Sequence, residues 1–448
     1  MVCPPCEEEI ATSPSHNWQI SLPDLCNEEW YNVAAFRRSG DIIFMLSVSE
    51  ARERILAVFM PVEALTVSLD RAAGRILSGD ILAEIDLPLF DNSSVDGFAL
   101  HAADLVSPRT LNVVADIRAG KPCGTTLQPG ESARIMTGAP LPPGAEAVVM
   151  VEDTDFNVRI PGTPAPQTVT IHRSMRPGQN IRRRGEDLHT GDKVLSAGLY
   201  LRAQEIGLLA MLGLAEVPVH RQPRLALLSS GDELLPVGAT LTPGKIHESN
   251  SYALAVQAET AGVELIRLGV AADTETDVRS RLETAVDAKV DVIVSSAGVS
   301  VGAFDYVKSV IEEEGELDFW KVNMRPGKPL AFGKYHGVPF FGLPGNPVSA
   351  FIGFEVFIRP ALQKLSGMDS RPRPSQRACL VESLESDGRE SYLRAIVSQE
   401  KGRLVARLAG HQGSGNIFSL VRANALLIVP SGVKSLPAST DVEIWPIA

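Results

Sequence analysis

A chain of 448 residues with 44% hydrophobic and 21% charged side chains has ordinary globular composition. It is long enough for two to four domains, because single cores stop growing near roughly 250 residues. The formal charge of -12 argues against a nonspecific nucleic-acid binder, so any anionic ligand must be met by basic residues gathered locally.

No apolar run approaches the roughly 18 residues that a membrane helix needs, and the start does not read as a signal peptide. The expectation is a cytoplasmic protein that meets neither membrane nor nucleic acid. The cysteines are Cys3, Cys6, Cys26, Cys123 and Cys379, an odd set without zinc spacing along the body of the chain, so disulfides are not expected to hold it together.

In chain order, residues 1–44 carry Pro4-Pro5, the acidic run Glu7 to Glu9 and no sustained period, and read as a mostly disordered extension. Cys3-Pro-Pro-Cys6 has no second pair to complete a metal site. Met45 is the expected start of the folded chain and a candidate initiator, since Ser47 or Ser49 can cap a helix carrying Ala51, Ile55 and Val58. A second helical pattern runs through Leu69-Asp-Arg-Ala-Ala-Gly-Arg-Ile-Leu77 and leads into Asp91-Asn-Ser-Ser-Val-Asp-Gly-Phe98, a turn by composition. Between Leu111 and Val158 short strands are split by Pro and Gly, which predicts a small β-rich insert within another domain. Gly191-Asp-Lys-Val-Leu195 reads as a hairpin return, and a helix is expected over Arg202 to Leu212.

From Arg224 the pattern is α/β. Strand Leu225–Leu228, helix Asn250–Ala261, strand Val263–Leu268, helix Asp277–Val286, strand Val292–Val294 and helix Tyr306–Glu314 imply a doubly wound sheet with right-handed crossovers. Leu317–Val322 and Pro339–Leu343 are further strands, Arg325-Pro-Gly-Lys-Pro329 is a loop, and Pro347 opens a long helix to Leu365. After the Ser370–Pro374 linker, residues 376–448 alternate short strands without a long helix, which predicts a small β barrel or sandwich.

Polar loops recur where the sheet strands should end: Gly231-Asp-Glu233, Ala272-Asp273, Gly298 to Asp305, and Pro326-Gly-Lys328. Open α/β sheets take ligands at that edge, and a strand feeding a Gly/Ser loop and then a helix favours phosphate or another anion. Glu233, Asp273 and Asp305 would then face one crevice. Two carboxylates about 4 Å apart repel by roughly 4 kcal/mol at an effective dielectric of 20, so the cluster calls for a cation or for protonation. Oxygen donors beside phosphate suggest Mg²⁺ or a similar divalent ion, with individual ligands open. Lys321, Arg325 and Lys328 supply the opposite charge, suited to phosphate or pyrophosphate, although any one of them alone could be a solvated surface charge. There is no Gly-Lys-Ser/Thr phosphate loop, no Gly-x-Gly-x-x-Gly and no Gly-x-Ser-x-Gly elbow.

Taken together, Asp91-Asn-Ser-Ser-Val-Asp-Gly-Phe, Arg134-Ile-Met-Thr-Gly-Ala-Pro, Gly185-Glu-Asp, Ser230-Gly-Asp-Glu-Leu, Gly298-Val-Ser-Val-Gly with Asp305, Arg325-Pro-Gly-Lys-Pro, Leu343-Pro-Gly-Asn-Pro-Val-Ser-Ala and Gly410-His-Gln-Gly-Ser resemble the MoeA-type molybdopterin molybdenumtransferases, which include the homologous domain of gephyrin. The ordered match runs from about Met45 to the C-terminus. Departures are Ala297 where the family often has Gly, Arg325 where some members have Lys, and His247-Glu-Ser-Asn250 for a more usual Tyr-Asp-Ser/Thr-Asn.

The resemblance implies an elongated four-domain homodimer. Residues 45–94 and 182–221 would form a discontinuous linker and dimerisation domain, 95–181 the β-rich insert, 222–370 an α/β molybdopterin-binding domain, and 371–448 a C-terminal β barrel. It implies molybdate insertion into adenylylated molybdopterin, with AMP released in the presence of a divalent cation. Asp187, Glu233, Asp273 and Asp305 match the family's acidic cleft residues, with Asp96 and Thr137 contributed by the insert of the other subunit. Ser300, Lys321, Arg325 and Lys328 match its substrate-binding positions, and Pro344, Pro347, Arg394 and Ser414 its molybdate site. A molybdopterin adenylyltransferase and apo-molybdoenzymes are the implied working partners. The alternatives are an adenylyltransferase, whose fold resembles residues 222–370 alone, and a non-catalytic scaffold of the same fold.

Overall fold

The computed structural model describes residues 36–38, 41–43, 45–121, 124–156, 160, 162–297, 306–368 and 373–447. The chain divides into two units, Met1–Leu46 and Ser47–Ala448. In the first, Phe36–Arg38 pairs antiparallel with Asp41–Ile43. Regular pairing was not expected there, but the β-prone Ile42 and Ile43 lie just past the Ser39-Gly40 turn dipeptide.

The second unit opens with helix Val48–Val58. Ser47 Oγ accepts from Glu50 N at 3.2 Å, and the Glu50 carboxylate accepts from Ser47 N at 2.9 Å. This reciprocal capping box satisfies two helix-end donors, and Val48, Ala51 and Ile55 form the buried stripe.

The helical pattern of residues 69–77 is not realised. Ala64–Ser68 is a strand paired with Glu216–His220, followed by one 3-10 turn, Leu69–Arg71. Gly74 turns the chain with φ +77°, and the apolar Leu77 joins a core with Ala72, Leu201, Leu209, Val217 and Val219. Tertiary burial of those side chains against the returning segment overrides the local period. Helix Ala203–Met211 and strand Lys193–Leu195, the latter paired with Ile81–Leu82, lie where the sequence places them.

The insert is a five-stranded sheet in the spatial order Thr168–Ile171, Arg109–Ile117, Glu131–Ile135, Gly97–His101, Ala145–Met150. Strand alternation divides its apolar side chains between two cores. Phe98, Leu100 and Val149 belong to one, and Ala99, Ile135 and Val148 to the other.

The α/β sheet runs Glu264–Ala271, Arg224–Ser230, Val292–Ser296, Val338–Leu343, Pro329–Tyr335, Gly315–Lys321. The first four strands are mutually parallel, and the last two reverse direction in turn. The sheet is therefore mixed rather than simply doubly wound. Strand Pro329–Tyr335, absent from the sequence reading, closes a tight hairpin through His336 and Gly337, whose φ values are +47° and +83°. Two left-handed residues match the twist of a two-residue hairpin turn. The long helix predicted from Pro347 forms, but with a π-helical turn, Phe354–Ile358, between helical segments Pro347–Gly353 and Arg359–Leu365. The wider turn lies immediately ahead of Pro360, which lacks an N–H for the regular ladder.

The C-terminal strands close on themselves. Glu390–Glu400 pairs with Arg403–Leu408 on one side and Ala425–Val429 on the other, and the sheet continues through Gln376–Leu380 and Asp441–Pro446 to complete a barrel. Among the described residues no helix is long and apolar enough to cross a membrane.

Candidate active site

The carboxyl ends of Arg224–Ser230, Glu264–Ala271, Val292–Ser296 and Val338–Leu343 share one edge of the sheet, and Gly315–Lys321 also runs toward it. Several of the polar loops picked out in the sequence therefore meet there. The Asp273 carboxylate accepts from Ser230 Oγ at 3.2 Å and from Asp232 N at 3.1 Å, while the Asp232 carboxylate accepts from Asp273 N at 3.1 Å. These exchanged bonds lock two adjacent strand ends together. Glu233 is exposed and folds back over Gly231, where a Cβ would lie 2.6 Å from its carboxylate oxygen. The backbone there, at φ +148°, favours glycine. Asp305, Ser300 and the rest of 298–305 lie outside the described residues. Among the described residues no three His, Cys, Asp or Glu side chains gather to hold a metal.

A residue that the sequence reading passed over joins three loops. Asn250 Nδ2 donates to Ser296 Oγ at 2.8 Å and to the Gly345 carbonyl at 2.8 Å. The only sequence sign was the departure at His247-Glu-Ser-Asn250. Within that run Glu248 is buried and accepts from Ser229 Oγ at 3.2 Å and from Ser251 N at 2.7 Å.

The barrel is stitched to this same edge. Met324–Arg325 pairs parallel with Glu390 and Ser391, at the start of a barrel strand. Val348 N donates to the Ser414 carbonyl at 3.1 Å. These two contacts bring Arg394 and Ser414 toward Arg325, buried Pro344 and Pro347, which stands at the first helical turn. Lys321 and Arg325 are half-buried, and Lys328 is exposed on the loop between them and the next strand.

Arg394 is fully buried. Its Nε donates to Ser419 Oγ at 2.9 Å and its Nη2 to the Gly413 carbonyl at 3.0 Å. Gln412 brackets its backbone, accepting from Arg394 N at 2.9 Å and donating to Arg394 O at 3.1 Å. Nη1 is buried without a hydrogen-bond partner. Burial, with the positive charge of Arg325 adding to it, pushes the guanidinium down to about 10. A buried cation with an unspent donor beside a second cation has the chemistry to hold an anion. Ser419 and Gln412, which build this cage, were not singled out in the sequence, although the Gly410–Ser414 run that contains Gln412 was.

The insert contributes a separate pair. Asp96 accepts from Thr137 N at 2.8 Å and from Thr137 Oγ1 at 2.9 Å. Asp96 also lines a cleft of about 380 Å³ with Phe98, Arg134, Met136 and Phe156. Asp187 is exposed, anchored by its N–H to the Leu87 carbonyl at 2.9 Å. Among the described residues no hydrogen bond or ion pair connects Asp96, Thr137 or Asp187 to the α/β strand ends.

Three family models match consecutive parts of the chain. They are the MoeA N-terminal region (domain I and II) over residues 46–213, the probable molybdopterin binding domain over 226–364, and the MoeA C-terminal region (domain IV) over 377–447. The chain is 39% identical over 416 residues to molybdopterin molybdenumtransferase 2 of Mycobacterium tuberculosis, covering 90% of this chain and 100% of that protein. The chain belongs to the MoeA family. A molybdopterin molybdenumtransferase of Haemophilus influenzae is 36% identical over 406 residues, covering 90% of this chain and 98% of its own length. The crystal structure of a molybdopterin biosynthesis MoeA protein from Pyrococcus horikoshii superposes with TM-score 0.74 at 32% identity, over 90% of this chain and 99% of that one. The MoeA fold thus spans the mixed sheet and the C-terminal barrel in one chain. The protein is a molybdopterin molybdenumtransferase of molybdenum cofactor biosynthesis.

Proposed function

We propose that this MoeA protein takes adenylylated molybdopterin and molybdate and yields molybdenum cofactor and AMP, with the pterin phosphates over the sheet's carboxyl edge and molybdate at the barrel seam. The observation that carries this reading is Arg394, a buried guanidinium with an unpartnered Nη1, depressed in part by the charge of Arg325. Molybdate is a compact dianion, and it relieves the repulsion between these two cations while accepting the free N–H. Ser414, Pro344 and Pro347 shape the rest of the pocket. Lys321, Arg325 and Lys328 bind phosphate oxygens, with Ser300 assigned to the same substrate by its sequence run. Arg325, shared by the two regions, orients the phosphates toward the oxyanion.

The oxygen-only donors Glu233, Asp273 and Asp305 fit a hard cation such as Mg²⁺. Glu233 is exposed, and each oxygen of Asp273 has spare lone pairs beyond its single hydrogen bond. Such an ion, when bound, neutralises charge on the phosphoanhydride. The protein's own part is to hold the two anionic substrates close and aligned, which lowers the entropic barrier to their reaction.

The Asp96–Thr137 pair and Asp187 complete the cleft from a second copy of the chain. The test is AMP release from adenylylated molybdopterin with Mg²⁺ and low-micromolar molybdate, followed by activation of an apo-molybdoenzyme. Both should require molybdate and vanish in Asp305→Asn. Release that ignores molybdate would overturn the assignment.

A further inference from the structure

Away from the proposed active site, helix Val48–Val58, the 198–202 loop, the helix that carries the π turn and the last barrel strand surround a cavity of about 550 Å³. That volume lies within the roughly 300–1,000 Å³ typical of small-molecule sites. None of the residues assigned to the pterin, to molybdate or to the cation lines it.

Its lining is unusual for a chain of net charge -12. Arg52, Arg202, Arg359 and Arg373 all face it, with Glu355 the carboxylate among the lining residues. Arg202 is neutralised by Glu205 at 2.6 Å. Glu355 is shared, with Arg359 at 2.8 Å and Arg373 at 2.5 Å, and it also accepts from Gln257 at 2.6 Å. Among the described lining residues, four guanidinium groups are set against the one carboxylate of Glu355, with Glu205 pairing Arg202 from outside the lining. Two donors are also unspent, because Arg52 Nε and Arg373 Nε are buried without hydrogen-bond partners. The remaining walls are apolar and partly aromatic: Leu199, Tyr200, Pro360, Met368 and Trp445, with the Arg52 guanidinium 5.9 Å from the Trp445 ring centroid.

We propose that this cavity binds a small organic dianion, a phosphate monoester carrying a flat apolar group. The phosphate meets the Arg52 guanidinium and the spare Nε of Arg373, whose Nη1 already donates to the Pro446 carbonyl at 2.7 Å and whose Nη2 holds Glu355. The flat group lies against Tyr200 and Trp445. A structural role alone accounts for Arg359, which holds Glu355 with two bonds, but not for the donors left over on Arg52 and Arg373. The occupant touches the α/β helix and the barrel strand at once, so it braces the joint between the two domains that carry the proposed substrate pocket.

Phenyl phosphate is the probe, titrated calorimetrically into the full-length protein, with benzyl alcohol and inorganic phosphate as the partial ligands. Saturable binding with Kd below about 1 mM is expected for phenyl phosphate, weaker binding for inorganic phosphate, and none for benzyl alcohol. Arg52→Gln and Arg373→Gln should each weaken phenyl phosphate by about tenfold or more, as loss of a charge-assisted bond requires. Arg52→Lys, which keeps charge without the fork, should fall between. The proposal is overturned if phenyl phosphate gives no saturable heat, or if its binding survives both cavity variants, which would place the phosphate at the Lys321, Arg325 and Lys328 strip or in the oxyanion pocket instead. Circular dichroism melting of each variant separates loss of binding from loss of fold.

Discussion

At the scale of single residues, the protein repeatedly encloses a charge and then surrounds it with fixed partners. Arg394 is enclosed by Ser419, Gln412 and the 411–413 carbonyls with one donor left over. Glu355 is the opposite case, a buried carboxylate with every strong partner in place. Burial works to raise its pKa, but the hydrogen bonds and charge of Arg359, with Arg373 and Gln257, overcome that and hold it below the ordinary 4.5. A carboxylate depressed on folding stabilises the protein above its unfolded pKa, and that stability is lost as pH falls through the folded value. Glu355→Gln should therefore cost about 3–5 kcal/mol at pH 7, where it leaves buried guanidinium groups without their counter-charge. The gap between variant and parent should shrink below pH 4.5. Urea midpoints measured from pH 7 to pH 3 check this, and a gap that does not change with pH would contradict it.

At the scale of elements, the sequence was most legible where local chemistry and tertiary burial agree. Ser47, one of the two caps the sequence offers, starts its helix, and Tyr306–Glu314 forms with the bounds its apolar spacing suggests. The failures have physical causes. Residues 69–77 carry a helical period, yet they bury Leu77 against the Glu216–His220 segment more than a hundred residues later in the chain, a contact no local pattern reveals. Strand Pro329–Tyr335 was hidden by the prolines and glycines at and beside its ends, and its hairpin turn uses His336 in place of a more familiar Asn or Asp. Glycine inside a strand can mark close backbone approach, and Gly97, next to Asp96, is such a place. A Cβ there would lie 1.8 Å from the Val149 carbonyl oxygen of the neighbouring strand. Gly97→Ala should force the sheet apart at a cost of about 1–3 kcal/mol, lowering the melting temperature and displacing Asp96. An unchanged melting curve would mean that the strand pairing there is looser than described.

At the scale of the whole molecule, the candidate site is divided. The acidic strand ends lie on the α/β sheet, the cage around Arg394 on the barrel, and the Asp96–Thr137 pair on the insert. The sequence named most of these residues, but the seam itself, Met324–Arg325 paired with Glu390 and Ser391, is a pairing of distant segments and left no local trace. If the cleft is shared between two copies, the protein should run in solution at twice its 48.1 kDa. Mixed dimers of Asp96→Asn and Asp273→Asn should then recover activity that neither variant has alone, because one of the two clefts in a mixed dimer is intact. Two inactive variants that stay inactive on mixing would place the whole site within one chain. The most direct test of the account is a molybdate titration of AMP release in Arg394→Gln against the parent. Loss of a buried charge-assisted bond of about 1.5–3 kcal/mol predicts a molybdate requirement raised roughly 10- to 150-fold, with the affinity for adenylylated molybdopterin unchanged. An unchanged molybdate requirement would contradict the assignment of the oxyanion to the barrel seam.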